Sequence, residues 1–61
     1  MTESKDLEKR VIKALEKQYG ETVYLNHVNV QGDKVHVEFK TTGGMMGLAS
    51  FRFTKDTLVR L

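Results

Sequence analysis

The feature that most constrains this fold is a pair of alternating apolar and polar runs, residues 28–31 and 34–39, joined by Gly32 and Asp33. Glycine at the first central position of a two-residue loop favours a type II′ or I′ hairpin turn. That turn fixes the pairs across the hairpin: Gln31 with Lys34, Val30 with Val35, Asn29 with His36, Val28 with Val37, and His27 with Glu38. All four valines then lie on one face. The sequence therefore predicts an antiparallel hairpin with one apolar face and one polar face.

The residues before this hairpin alternate with the opposite parity. Val23 and Leu25 occupy odd positions, whereas Val28 and Val30 occupy even ones. One extra residue in a strand moves every following side chain to the other face of the sheet. A bulge or bend near Asn26 and His27 would restore a common apolar face, so we predict one there.

The amino-terminal segment has a helical period. Between Ser4 and Tyr19 the apolar residues recur at steps of three and four, at Leu7, Val11, Ile12, Ala14, Leu15 and Tyr19. This spacing places them in one sector of a helix and predicts an amphipathic helix. Ser4 or Thr2 is a suitable residue to cap its start, and Gly20 is suited to a left-handed conformation just after its end.

The carboxyl-terminal third predicts a further strand and leaves one element open. Residues 41–47 form a glycine-rich connection, and Ala49, Phe51 and Phe53 then alternate with polar residues as in a strand. Residues 55–61 fit either a short helix capped by Thr54 or a fourth strand.

Together these segments predict an α+β fold for residues 1–61, taken as a single small domain. We expect one amino-terminal amphipathic helix to pack on an antiparallel sheet of three or four strands. The order is αβββ, followed by a short carboxyl-terminal helix or strand. A chain of 61 residues buries a thin core, since a domain of this size buries only about 60% of the surface that its unfolded form exposes.

The composition of the chain indicates the cellular compartment in which we expect it. The absence of cysteine excludes disulfides and thiolate-bound metals, and favours a reducing compartment. No apolar run approaches the roughly 20 residues that span a bilayer, and residues 1–10 lack the apolar stretch of a signal peptide. We therefore expect a cytoplasmic protein with no membrane partner.

No motif in the sequence indicates an enzyme. No nucleophile motif such as G-x-S-x-G occurs, and the glycine-rich connection lacks the lysine of a phosphate-binding loop. His27 and His36 are predicted diagonal neighbours, but a metal site needs three or four ligands. We expect no catalytic residues, no metal and no cofactor.

The polar face of the sheet and the glycine-rich connection supply candidate partner-binding residues. They are Lys34, His36, Lys40 and Arg52 on the face, with Met45 and Met46 at the tip of the connection. Methionine is flexible and polarizable, which suits it to contact a partner. The leading hypothesis is a small, non-enzymatic protein-interaction module, a regulator or inhibitor that docks on a larger protein. Because both sheet edges are open to pairing unless the tail covers one, a homodimer is a further candidate.

A second hypothesis concerns the polar side of the helix. At 100° per residue the basic residues gather opposite the apolar sector, at Lys5, Lys9, Arg10, Lys13 and Lys17. Such a row can neutralise phosphates and release their counterions. The alternative function is therefore a nucleic-acid-binding accessory protein that uses this helix face.

Overall fold

The computed structural model describes residues 2–61, with side chains from residue 5 onward. The elements in chain order are α1 Thr2–Tyr19, β1 Val23–Gln31, β2 Lys34–Thr41, β3 Met46–Phe53 and β4 Leu58–Arg60. The strands form one antiparallel sheet in the order β1-β2-β3-β4. One helix packed on an antiparallel sheet confirms the predicted α+β class.

Helix α1 lies over the sheet through its apolar sector, where Leu7, Val11 and Leu15 are buried. The helix closes at Gly20, which has a φ of 72° and donates its N–H to the Glu16 carbonyl at 2.7 Å. Glycine adopts this left-handed conformation without the Cβ penalty, as predicted for the residue after the helix. The helix begins at Thr2, so Ser4 lies inside it, and the predicted capping side chains fall outside the described residues.

The first hairpin has the predicted register throughout. Val28 pairs with Val37 and Asn29 with His36, and the register shifts between Leu25 and His27. The predicted bulge is confirmed. Gly32 has a φ of 61° whereas the φ of Asp33 is not positive, which fits a type II′ turn rather than type I′.

The connection between β2 and β3 is shorter than the sequence suggested. Gly44, with a φ of 91°, donates its N–H to the Thr41 carbonyl at 3.0 Å, and strand β3 begins at Met46. The Thr41 N–H also donates to the Met45 carbonyl at 2.8 Å, so the loop itself is residues 42–44, and a three-residue loop that ends in a left-handed glycine is a common hairpin solution. The predicted location of Met46 at a loop tip is therefore wrong, because it is already a strand residue opposite Lys40.

The carboxyl-terminal segment is a strand and not a helix. Leu58, Val59 and Arg60 pair with Phe53, Arg52 and Phe51 of β3. The Thr54 hydroxyl does act as a cap, accepting from the Thr57 N–H at 3.0 Å. It closes a tight turn instead of opening a helix, and β4 then covers the Phe51–Phe53 part of the β3 edge, while residues 46–49 have no strand partner on that side within residues 2–61.

The core lies between α1 and one face of the sheet. Its fully buried members include Val35, Phe39 and Phe51, and Phe39 also packs on Tyr19 with ring centroids 5.5 Å apart. Strand β4 is joined to the helix by the Arg60 Nη1 donor, which bonds the Gln18 Oε1 at 2.6 Å. This arrangement leaves the opposite face of the sheet without a covering element among residues 2–61.

Candidate interaction surface

The helix-free face of the sheet is the largest feature that the fold leaves open. Strand pairing brings four rows of side chains together on it. Its members are Tyr24, His27, Asn29 and Gln31 on β1, Lys34, His36, Glu38 and Lys40 on β2, Met46, Leu48, Ser50 and Arg52 on β3, and Val59 on β4. The face is therefore a broad mixed surface rather than an enclosed cleft.

Exposed apolar side chains concentrate along the β3 and β4 side of this face. Leu48 is 79% exposed, Met46 59% and Val59 55%, and we call these three residues the apolar strip. Tyr24 is 54% exposed and lies in the same row as Met46, with Lys40 between them. Single exposed apolar residues are ordinary, whereas neighbouring ones on an uncovered face, as Met46 and Leu48 are here, mark an interaction surface; Val59 lies farther along, beside Arg52.

Sequence reasoning did not identify Leu48 or assign a face to Tyr24. The signal was present, because Leu48 has the parity of Ser50 and Arg52 and so belongs to the polar face. The expected start of the third strand at Ala49 removed Leu48 from that pattern. Leu48 is thus an apolar residue at a position where the alternation calls for a polar one.

Basic side chains border the apolar strip. Lys34, Lys40 and Arg52 are exposed, and Glu38 is the acid among them. The Arg52 Nε lies 3.6 Å from the Asp33 Oδ2, with both side chains more than half exposed. An exposed pair of this kind contributes about 0–1 kcal/mol, so it leaves Arg52 free to exchange partners.

Among the predicted partner-binding residues, Lys34, His36, Lys40 and Arg52 share the helix-free face with Met46. Met45 precedes β3 and is 42% exposed, with its N–H donating to the Thr41 hydroxyl at 3.2 Å. The strand pairing therefore brings together all of the predicted partner-binding residues except Met45.

The two histidines lie on this face as diagonal neighbours. His36 Nδ1 and the Ser50 hydroxyl are 2.8 Å apart in a half-buried hydrogen bond, and His27 lies opposite Glu38. Among the described residues, no group of three or more histidines, cysteines or carboxylates is placed to hold a metal ion. The hydrogen bond between His36 and Ser50 therefore links β2 to β3.

The basic residues of α1 divide into two kinds. Lys5, Lys9, Lys13 and Lys17 are all exposed. Arg10 is half-buried, and its Nη2 donates to the Thr57 carbonyl at 2.6 Å. The exposed cations thus form a row of four lysines, which we call the lysine row, while Arg10 joins the helix to the turn before β4.

A shallow groove opens where α1 passes the first hairpin, and no sequence pattern pointed to it. Leu7, Val30 and Phe53 contribute its apolar part, and Lys9, Lys13 and Lys55 are among its basic residues. Val30, which the sequence placed on the apolar face of the hairpin, is 47% exposed at this groove.

Comparison with known proteins found no matching family model, no matching curated protein and no matching solved structure. Within residues 2–61, α1 is too polar to cross a membrane.

Proposed function

We propose that this chain is a small protein-interaction module that binds a larger protein through its helix-free face. The observation that carries the proposal is the apolar strip, with Leu48 79% exposed on the helix-free face of β3. Burying a leucine side chain of this kind favours association by about 1.5–3 kcal/mol. A partner that covers the strip would supply the second layer that this side of the sheet lacks.

The residue types on the face suit a protein partner. Tyrosine, methionine and arginine are enriched at protein interfaces, and Tyr24, Met46 and Arg52 represent them here. A broad face also differs from the concave pockets that hold small molecules. Because Lys40 lies opposite Met46 and Arg52 lies beside Val59, we expect a partner patch with an apolar centre and acidic residues around it.

Photo-crosslinking in the native cell tests this proposal. A photoreactive phenylalanine analogue replaces Leu48 in one variant and Lys13, on the exposed helix side, in the matched control. We expect a discrete crosslinked partner from position 48 and not from position 13. Substituting Asp for Met46 in the Leu48 variant should abolish the adduct. The same products from both positions, or none from position 48, would contradict the proposal.

A second candidate, nucleic-acid binding, is favoured by the lysine row. Four exposed cations at steps of four residues form a line along the helix, although like charges at that spacing mildly destabilise it. Binding to duplex DNA would then weaken steeply with salt. The logarithm of the binding constant falls with the logarithm of the salt concentration, with a slope of about −0.9 for each phosphate neutralised. No salt-sensitive retention on DNA or RNA would exclude this function, and retention that K9E and K13E leave unchanged would exclude the lysine row as its site.

A further inference from the structure

Strand β1 is an unusually unguarded sheet edge. It is nine residues long, Val23–Gln31, and contains neither a charged residue nor proline. The opposite edge is formed by β4, which has three residues and includes Arg60, and by the short stretch 46–49 of β3 that extends beyond β4. Natural proteins protect open edges with short strands, charges, proline or bulges; β4 is short and charged, whereas β1 has only its bulge near Asn26, and residues 27–31 carry none of these devices. The difference indicates that β1 meets another strand.

Two features of β1 define the part that can pair. The bulge between Leu25 and His27 ends regular pairing on one side, because the extra residue bends the strand. The turn at Gly32 ends the strand on the other side. The regular segment therefore covers residues 27–31, and its midpoint is Asn29.

This segment is complementary to itself. Antiparallel pairing about Asn29 places Asn29 opposite the same residue of a second copy, Val28 opposite Val30, and His27 opposite Gln31. Opposed residues share a face, so the two valine pairs lie on the helix side and the amide and imidazole groups on the helix-free side. Val30, now 47% exposed, would be covered by Val28 of the second copy. No pair brings two formal charges together.

We propose that two copies of this chain associate by pairing their β1 edges antiparallel about Asn29. The two-fold axis lies perpendicular to the sheet at Asn29, and the two four-stranded sheets become one continuous sheet. This inference does not depend on the proposed docking function, because it uses the edge of the sheet and needs no other protein.

Sedimentation equilibrium of the purified chain, without any partner, tests the association. We expect a concentration-dependent dimer for the natural sequence. N29K places two lysines opposite each other across the axis, and N29D places two aspartates there. Each variant alone should raise the concentration at half-dissociation at least tenfold, because like charges directly opposed destabilise a strand pair. An equimolar mixture of the two should form the dimer again.

The mixture separates loss of pairing from loss of folding, since unfolded variants would not recover on mixing. V59K, on the opposite edge, is the matched control and should leave the dissociation curve unchanged. The proposal is overturned if the natural chain stays monomeric at 500 µM. This concentration is well above a micromolar dissociation constant. N29K and N29D that dimerise separately as well as the natural chain, or a mixture that remains monomeric, would also overturn it.

Discussion

Replacing Gly47 by alanine tests how tightly this thin core is packed. Gly47 pairs with Phe39 across β2 and β3, and a Cβ at position 47 would lie 2.9 Å from the Phe39 Cζ and 3.2 Å from its Cε1. Phe39 cannot move away easily, because it is 1% exposed and its ring packs on Tyr19. The substitution therefore forces either the ring or the strand to shift.

Two opposing terms set the size of the effect. Overpacking a filled core costs about 1–3 kcal/mol. Alanine is also intrinsically better than glycine within a strand, by roughly 0.5–1 kcal/mol. The overpacking term is larger, so we expect G47A to lower the free energy of unfolding by about 1–2 kcal/mol. For a domain of this size each kcal/mol lowers Tm by about 4–8 °C.

Urea unfolding followed by circular dichroism measures this change, and the F39L background checks its cause. Leucine lacks the ring atoms that the new Cβ would meet, so only the strand preference of alanine remains. In F39L, G47A should raise the free energy of unfolding by about 0.5–1 kcal/mol, reversing its sign. Sulfate can be added equally to all samples to keep the weaker variants folded. An equal loss in both backgrounds would refute the proposed contact between position 47 and the ring.

Three further substitutions test local features of the fold by urea unfolding. G32A should cost about 1–2 kcal/mol through backbone strain alone, because the φ is 61° and nothing lies within 4 Å of the added Cβ. A neutral result would argue against the type II′ turn. E16A should cost about 1–3 kcal/mol, since the Glu16 Oε2 accepts the Val23 N–H at 3.0 Å, and E16Q should cost less because it keeps an acceptor. Equal losses for the two variants would contradict this. L15A should cost about 2–5 kcal/mol at this fully buried position and leave the domain largely unfolded by circular dichroism at 25 °C, whereas a cooperative transition near the natural midpoint would refute its core role.

Much of the fold is encoded by short-range rules. The Gly32 turn fixes a register, and the change of parity between Leu25 and Val28 requires an extra residue, so local geometry was enough to place β1 on β2. The carboxyl-terminal element was ambiguous for a physical reason. Thr54 accepts N–H groups equally well at a helix start and in a tight turn. Only the pairing of Leu58 with Phe53 decides between the two, and that contact depends on tertiary packing.

The candidate surface was less predictable than the fold. Parity alone placed Lys34, His36 and Arg52 on one face, as the strand pairing shows. Arg10 followed helical periodicity into the basic sector, but its long side chain reaches the Thr57 carbonyl across the domain. Helical periodicity fixes the position of the Cβ atom but not that of the charged group at the end of a long side chain. Contacts such as that of Arg10 with Thr57 can therefore be identified only from the folded structure.

The two proposed surfaces can be tested independently because they involve different strands of the sheet. The apolar strip follows β3 and β4, whereas the proposed dimer axis crosses β1, with β2 between them. Pairing at β1 therefore leaves Leu48 exposed in both copies and directs both helix-free faces to the same side. L48D should leave the sedimentation profile unchanged, and N29K should still crosslink its partner through position 48. If that partner carries two linked copies of its binding patch, the dimer would bind it more tightly than N29K does, by a factor of up to about 10²–10⁴ when both patches engage. An identical affinity for N29K and the natural chain would show that the dimer does not present two strips at once.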